Sequence, residues 1–252
     1  MTAGLRGTGE FCWFNVLTPK PANARDFFGE LLGWTYVDTG LGHTVQVDGH
    51  DVGGLFDLAG PNTPTGTPPL IGLMLKVQSA DAAAEKVRAL GGKARPPFDI
   101  GGAGRMSVCH DPNGAEFDVW EPRGLQGTDV DANAPGAPTW FETMTTDVDR
   151  AAKFYSALFG WKADSAGSEY QTFEHGGRHV GGAKQCALEG QHPHWATYFA
   201  VKDANKTARE AIKRGAEVFA PVMAVKGIRF CGIRSPQGIP FYVMQRGHRV
   251  AG

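Results

Sequence analysis

The feature that most constrains this chain is that it reads twice. Trp13 returns as Trp140, and Phe27-Phe28…Leu31-Leu32-Gly33-Trp34 returns as Phe154-Tyr155…Leu158-Phe159-Gly160-Trp161, all 127 positions later. Val52-Gly53-Gly54 reappears as Val180-Gly181-Gly182. Further along, Val77 and Gly91 match Val201 and Gly215, and Pro112 and Gly114 match Pro236 and Gly238, now 124 positions apart. Small insertions and deletions account for the drift. A repeat this long, covering nearly all of 252 residues, is a duplicated domain and not a solenoid. The expected boundaries are a first domain over 1–123, a linker over 124–138 rich in Gly, Ala and Pro, and a second domain over 139–252.

Each half contains a weaker half-repeat of strand, helix and about three strands. In the first half, Glu10–Leu17 reads as a strand. A helix follows Thr18-Pro19-Lys20-Pro21, with Ala24, Phe27, Phe28 and Leu31 as its apolar stripe and Gly33 at its end. Leu70–Val77 reads as a buried strand. Ser79 caps a helix carrying Ala83, Ala84, Val87 and Leu90. Asp111-Pro112-Asn113-Gly114 then turns a hairpin, because Pro presets φ and Gly accepts positive φ. Beyond the turn, Phe117 and Val119 point to one face, and Glu116, Asp118 and Trp120 to the other. One such unit cannot bury its sheet face alone. Two side by side make an α+β domain: an eight-stranded curved sheet with helices outside and a concave face that suits a small-molecule ligand.

Composition excludes several function classes. A net charge of −1 without a Lys/Arg cluster offers no field for nucleic acid or an anionic membrane. No apolar run reaches the length of a membrane span, and the start Met1-Thr-Ala-Gly-Leu-Arg6 has no apolar signal segment, so a cytoplasmic location is expected. Cys12, Cys109, Cys186 and Cys231 show no metal or redox spacing and read as reduced thiols.

This pattern resembles the vicinal oxygen chelate superfamily of glyoxalases, bleomycin resistance proteins and extradiol dioxygenases. The residues that carry the resemblance are the first strand with its Phe-Phe or Phe-Tyr helix and Leu-Gly-Trp or Phe-Gly-Trp end, the Val77…Gly92 segment, and Asp111–Gly114 before the last strand. It covers both halves and implies two tandem glyoxalase-like domains. The resemblance also implies a divalent metal held by His or Glu at four strand positions. By motif these fall on Trp13 and Trp140, near Gly53–Leu55 and Gly181–Ala183, on Gly72 and Ala196, and on Asp118 and Tyr242. Of these only Asp118 ligates metals readily, and about three protein ligands are needed in a catalytic site. No metal and no cofactor are therefore expected.

If Trp13 faces inward, alternation brings Phe11 and Asn15 with it. Met74 and Lys76, then Glu116, Asp118 and Trp120, complete an aromatic-walled first cleft. The second cleft carries Trp140, Glu142, Met144, His194, Tyr198 and Tyr242. The expected substrate-binding set is thus Trp13, Asn15, Met74, Trp120, Trp140, Tyr198 and Tyr242. The expected catalytic groups are Glu142, His194 and Asp118, since a carboxylate near an imidazole can perform acid–base work. His175 and His179 flank a turn, and His110, Arg105 and Arg229 read as hairpin or edge residues. Cys109 and Cys231 lack the partners of a nucleophile. Gly101-Gly-Ala-Gly104 suggests a mobile flap over the first cleft. Three readings compete: a glyoxalase-like or hydroxylase-like enzyme on a small carbonyl or aromatic metabolite, a bleomycin-resistance-like binder, and an interaction scaffold. The expected partner is a small-molecule ligand, and pairing of domains within one chain or across a homodimer is left open.

Overall fold

The computed structural model of the chain describes residues 4–59, 66–165, 167, 169–186 and 190–247. The first half runs β1 (Phe11–Thr18), α1 (Pro21–Leu32), β2 (Thr35–Asp38), β3 (His43–Val47), β4 (His50–Asp57), then β5 (Leu70–Lys76), α2 (Ala80–Ala89), β6 (Lys93–Ala94), β7 (Phe98–Ile100), β8 (Gly104–His110) and β9 (Glu116–Pro122). The second half repeats this order as β10 (Pro138–Thr145), α3 (Val148–Phe159), β11 (Lys162–Ser165), β12 (Tyr170–His175), β13 (Arg178–Gln185), then β14 (His194–Ala200), α4 (Ala204–Lys213), β15 (Glu217–Val225), β16 (Ile228–Arg234) and β17 (Pro240–Gln245). Among the described residues no helix is long and apolar enough to cross a membrane.

The helix termini follow their sequence signals. Pro21 sits in the first turn of α1, where a missing amide donor costs least, and Gly33 closes that helix at φ 75°. Ser79 caps α2 by accepting from the Ala82 amide, and Asp147 caps α3 by accepting from Arg150. The sheets are ordered β2-β3-β4-β1-β5-β9-β8-β6 and β11-β12-β13-β10-β14-β17-β16-β15, with β7 an additional strand on β8. Each is the expected pair of units, joined where the first strand of one runs antiparallel to the first strand of the next: β1 on β5, and β10 on β14. The expected α+β fold, two tandem domains with one curved sheet each, is what forms.

The helix-bearing faces of the two sheets pack on each other through one continuous apolar cluster that includes Phe14, Phe28, Trp34, Phe141, Tyr155, Phe199 and Phe241. Two hydrogen bonds cross this junction in a reciprocal pattern. The Trp34 indole donates to the Gly136 carbonyl, and the equivalent Trp161 indole donates to Gly9, each at 2.8 Å. Gly9 and Gly136 are themselves equivalent and both left-handed, at φ 82° and 89°. Each domain's tryptophan therefore anchors the strand that enters the other domain. A third tie is the Asp111 turn. Asp111 Oδ1 accepts from the amides of Asn113, Gly114 and Ala115. Its Oδ2 accepts from the buried Tyr155 hydroxyl of the other domain, which accepts in turn from the Trp195 indole. Burial pushes the Asp111 carboxyl up, while its hydrogen bonds pull the other way.

One sequence expectation is corrected here. A register shift in β1 between Phe11 and Trp13 breaks the alternation, so Phe11 does not join Trp13 on the concave face. It turns into the junction and stacks on Phe141 at 4.1 Å. The segment 124–138 has linker composition but is not a loose tether. Thr128 bonds Cys12, Gly136 bonds Ala200, and Val130, Ala132 and Ala137 are buried.

Truncating Phe11 removes an aromatic pair together with core volume. Phe11→Ala is expected to destabilise the chain by about 3–5 kcal/mol in urea denaturation. If the junction is the shared core, fluorescence and circular dichroism report a single transition for both domains; two separate transitions in the wild type would contradict it.

Candidate functional site

The strand register places one row of residues across the concave face of each sheet. In the first domain Asn15 lies opposite Gly54 on one side and Gly72 on the other. On the next strand Asp118 pairs with Met74, one step along, and its Oδ2 reaches to 4.0 Å from where a Cβ on Gly72 would stand. In the second domain Glu142 lies between Gly182 and Ala196, and Tyr242 occupies the last strand. The motif positions fall on two levels of the register: Asn15 and Glu142 stand level with Gly72 and Ala196, whereas Asp118 and Tyr242 pair with Met74 and Tyr198. Trp13 and Trp140 are one step along, opposite Met74 and Tyr198.

Glu142 is the organising group of the second row. It is 8% exposed. Its Oε1 accepts from the Trp140 indole at 3.1 Å and from the Tyr170 hydroxyl at 2.9 Å, and its Oε2 accepts from the Tyr198 hydroxyl at 2.5 Å. Gly182 makes this possible, since a Cβ there would lie 2.6 Å from the Tyr170 hydroxyl. Tyr242 stacks on Tyr198 with centroids 4.6 Å apart, and Phe219 meets Tyr242 edge-on at 5.5 Å. Burial and then the Glu142 charge hold the Tyr198 and Tyr170 phenols well above their ordinary range, and push Tyr242 up to about 12. All three phenols are therefore protonated donors at neutral pH. Met144, Ala196 and Met244 fill the space beneath.

The first row is built differently. Cys12, Trp13, Met74, Met106 and Trp120 form one buried cluster, with Leu125 of the interdomain segment packed on it. The Trp120 indole donates to the Leu125 carbonyl at 2.9 Å. Asn15 makes only a 3.9 Å contact to the Met74 sulfur. Phe56 crowds Gly54 as Tyr170 crowds Gly182, so a phenyl ring stands where the second domain has a phenol. Asp118 has no hydrogen-bonding partner among the described residues. Burial, and then Glu116, drive its carboxyl well above the usual range. Trp13, Met74 and Trp120 thus spend their surface on each other and leave little for a ligand.

One open cleft of about 1270 Å³ takes lining from both domains, including Gly72, Asp118 and His110 from the first, and His194, Phe219 and Tyr242 from the second. His194 does not meet Glu142: its Nδ1 is 2.9 Å from the His192 carbonyl oxygen, and Glu142 is committed to the tyrosines. Arg105 is held by Asp81 and Asp99, and His110 lies 3.3 Å from Glu116. The Gly101–Gly104 turn is not a free flap, because Gly102 and Ala103 accept backbone bonds from Arg123, Gly124 and Leu125. Burial pushes the Cys12 and Cys109 thiols up to about 12, so neither is a thiolate at neutral pH. Tyr170 is the residue that sequence reasoning missed. Its position in the first half, by register, is Gly42, so the repeat gave no aromatic to compare it with.

Two sheets of paired strand–helix–strand units, each with a concave row of residues, define a glyoxalase-like protein. The family model described as "Glyoxalase-like domain" matches this chain twice, over residues 13–120 and 140–244, and the chain belongs to that family. Among curated proteins, it is 33% identical over 245 residues to a provisionally assigned glyoxylase, CFP32, of Mycobacterium tuberculosis, covering 92% of this chain and 93% of that one. It is 31% identical over 258 residues to the anthracycline biosynthesis protein DnrV of Streptomyces peucetius, covering 94% and 93%. Among solved structures, the Mn(II)-bound glyoxalase from Novosphingobium aromaticivorans superposes with a TM-score of 0.66 at 14% identity, covering 97% of this chain and 83% of that one. Homoprotocatechuate 2,3-dioxygenase from Brevibacterium fuscum gives a TM-score of 0.64 at 13% identity, covering 100% and 83%. At these identities the two structures speak for the fold.

The unpartnered Asp118 has a pH signature. With its folded pKa raised, its favourable contribution is full below the ordinary carboxylate range and is lost as pH rises through the raised value. Asp118→Asn keeps the shape without the charge. The variant's melting temperature is expected to gain on the wild type progressively from pH 5 to pH 9, by a few degrees. A difference that stays flat across that range would refute the assignment.

Proposed function

We propose that this chain binds a flat, partly apolar small molecule in the open cleft lined by both domains, against Tyr242 and Phe219, and does so without the divalent metal of its superfamily. The observation that carries the reading is the commitment of Glu142 to Trp140, Tyr170 and Tyr198. The donor set does not fit a catalytic metal. The second row offers Glu142 and a protonated Tyr242 beside Gly182 and Ala196; the first offers Asp118 and an amide beside two glycines. Among the described residues no three His, Cys, Asp or Glu side chains converge on one point. About three protein ligands are needed for Zn²⁺ or Fe²⁺ in a catalytic site, and each row has one carboxylate.

The ligand class follows from the walls. Tyr242 and Phe219 line the open cleft, Phe219 with the Arg234 guanidinium 5.4 Å over its ring, and these aromatic groups favour a planar partner, while the Tyr242 hydroxyl and Arg234 supply polar orientation. The anthracycline biosynthesis protein among the relatives supports a flat polycyclic or aromatic metabolite. The first-domain tryptophans and methionines pack on each other, and that domain lines the cleft with Gly72 and Asp118 instead. The relative assigned as a glyoxylase favours a second reading, transformation of a small carbonyl compound in the same cleft, with Glu142 as proton acceptor.

Thermal-shift screening tests both. Flat aromatic metabolites are expected to raise the melting temperature in proportion to log concentration, as mass action requires. Glu142→Gln and Tyr242→Leu are each expected to weaken binding by about tenfold, equivalent to about 1.4 kcal/mol. Stoichiometric divalent metal in the purified protein would overturn the metal-free half of the proposal. Turnover of a hemithioacetal that is lost in Glu142→Gln would replace the binding reading with the catalytic one.

A further inference from the structure

We infer that the open cleft selects flat ligands carrying an anionic group, an aromatic carboxylate being the simplest, over neutral molecules of the same shape. This rests on the reading of that cleft as the ligand site. Charge along the lining is the first observation. The cleft takes Arg95 from the first domain and Arg234 from the second, together with the acidic side chains of Glu116, Asp118 and Glu217. Two of those acids already have a counterpart: Glu217 accepts from Arg234 at 2.7 Å, and Glu116 lies 3.3 Å from His110. The third, Asp118, is driven towards its neutral form by burial and then by Glu116. Arg95 has no ion pair among the described residues. Its backbone is nonetheless fixed, the amide donating to the Val108 carbonyl and the carbonyl accepting from the Ser107 hydroxyl. The lining therefore holds a positive charge, on an anchored piece of chain, for which the described residues supply no partner.

The second observation is how Arg234 is held. Its guanidinium carbon lies 5.4 Å from the centroid of the Phe219 ring, and Phe219 meets Tyr242 edge-on at 5.5 Å. All three residues line the cleft. The ion pair on one side and the ring on the other restrict the guanidinium, so less rotamer freedom is lost when a ligand binds. A guanidinium presents several N–H donors in a planar fork, and Glu217 engages Nη1 alone. The remaining donors suit the oxygens of a carboxylate, and the neighbouring rings suit the flat body that carries it.

The test uses two planar probes of nearly the same shape, 2-naphthoate and its neutral isostere 2-naphthamide, titrated calorimetrically into the full chain. At low ionic strength the acid is expected to bind at least about fivefold more tightly, and the preference to shrink as salt is added. Arg234→Gln is expected to bring the preference below about twofold, and Arg95→Gln to reduce it by about half. Glu217→Gln, which leaves Arg234 over Phe219 without its counter-charge, is expected to strengthen the acid about threefold and leave the amide unchanged. All three side chains are exposed, so the variants are expected to fold, with circular dichroism as the check. Equal affinities or a preference for the amide would sink the anionic class and leave the aromatic cleft standing. An undiminished preference in Arg234→Gln, or a weaker one in Glu217→Gln, would also overturn the inference, since both remove Arg234 as the anchor. Failure of both probes to bind at millimolar concentration would remove the cleft reading together with the inference.

Discussion

The rest of the structure depends on the packing of the two helix-bearing sheet faces against each other. Neither sheet has another way to bury Phe14, Phe28, Phe141, Tyr155 and Phe199, and water would otherwise meet that surface. The reciprocal bonds of Trp34 to Gly136 and Trp161 to Gly9 give this apolar contact a register. They are directional where the hydrophobic contact is not. Because each tryptophan grips the strand leading into the other domain, displacing one domain would leave buried indole donors unpaired in both. The same bonds explain why a segment of linker composition is packed along its length.

With the helix-bearing faces spent on the junction, the concave faces are left to diverge. The two rows share one backbone plan and differ in chemistry. In the first, Phe56 fills the space over Gly54, and Trp13, Trp120, Met74 and Met106 close over the face. In the second, Tyr170 brings a hydroxyl over Gly182, Glu142 takes the place of Asn15, and Tyr242 that of Asp118. Glu142 accepts from three neutral donors, while burial and then Glu116 drive the Asp118 carboxyl towards its neutral form. The same backbone plan thus carries an apolar cluster in one copy and a hydrogen-bonded carboxylate in the other, and both copies line the open cleft.

Much of this was legible before any coordinates. The stripe of α1, the Ser79 cap and the Asp111–Gly114 hairpin follow from local residue chemistry and stand where expected. Glu142, Tyr198 and Tyr242 could be assigned to one cleft because alternation and the repeat both pointed there. His194 was grouped with them by the same alternation, yet its ring turns to the His192 carbonyl. Alternation reports the face of a sheet and says nothing of how far along it a side chain reaches. Phe11 was misplaced for a related reason: a bulge moves it to the other face without leaving a mark in the residue pattern.

The sequence by itself determined the duplication, the fold class and the family, because the period of the repeat and the helix and strand signals are local properties that any packing must respect. Tertiary structure alone decided which residues of the two copies line the open cleft and what Glu142 is bonded to. Tyr170 and Glu142 are 28 residues apart and meet only because Gly182, on the strand between them, has no side chain. Such a meeting depends on volume left empty by a third residue, and that is set by packing in three dimensions.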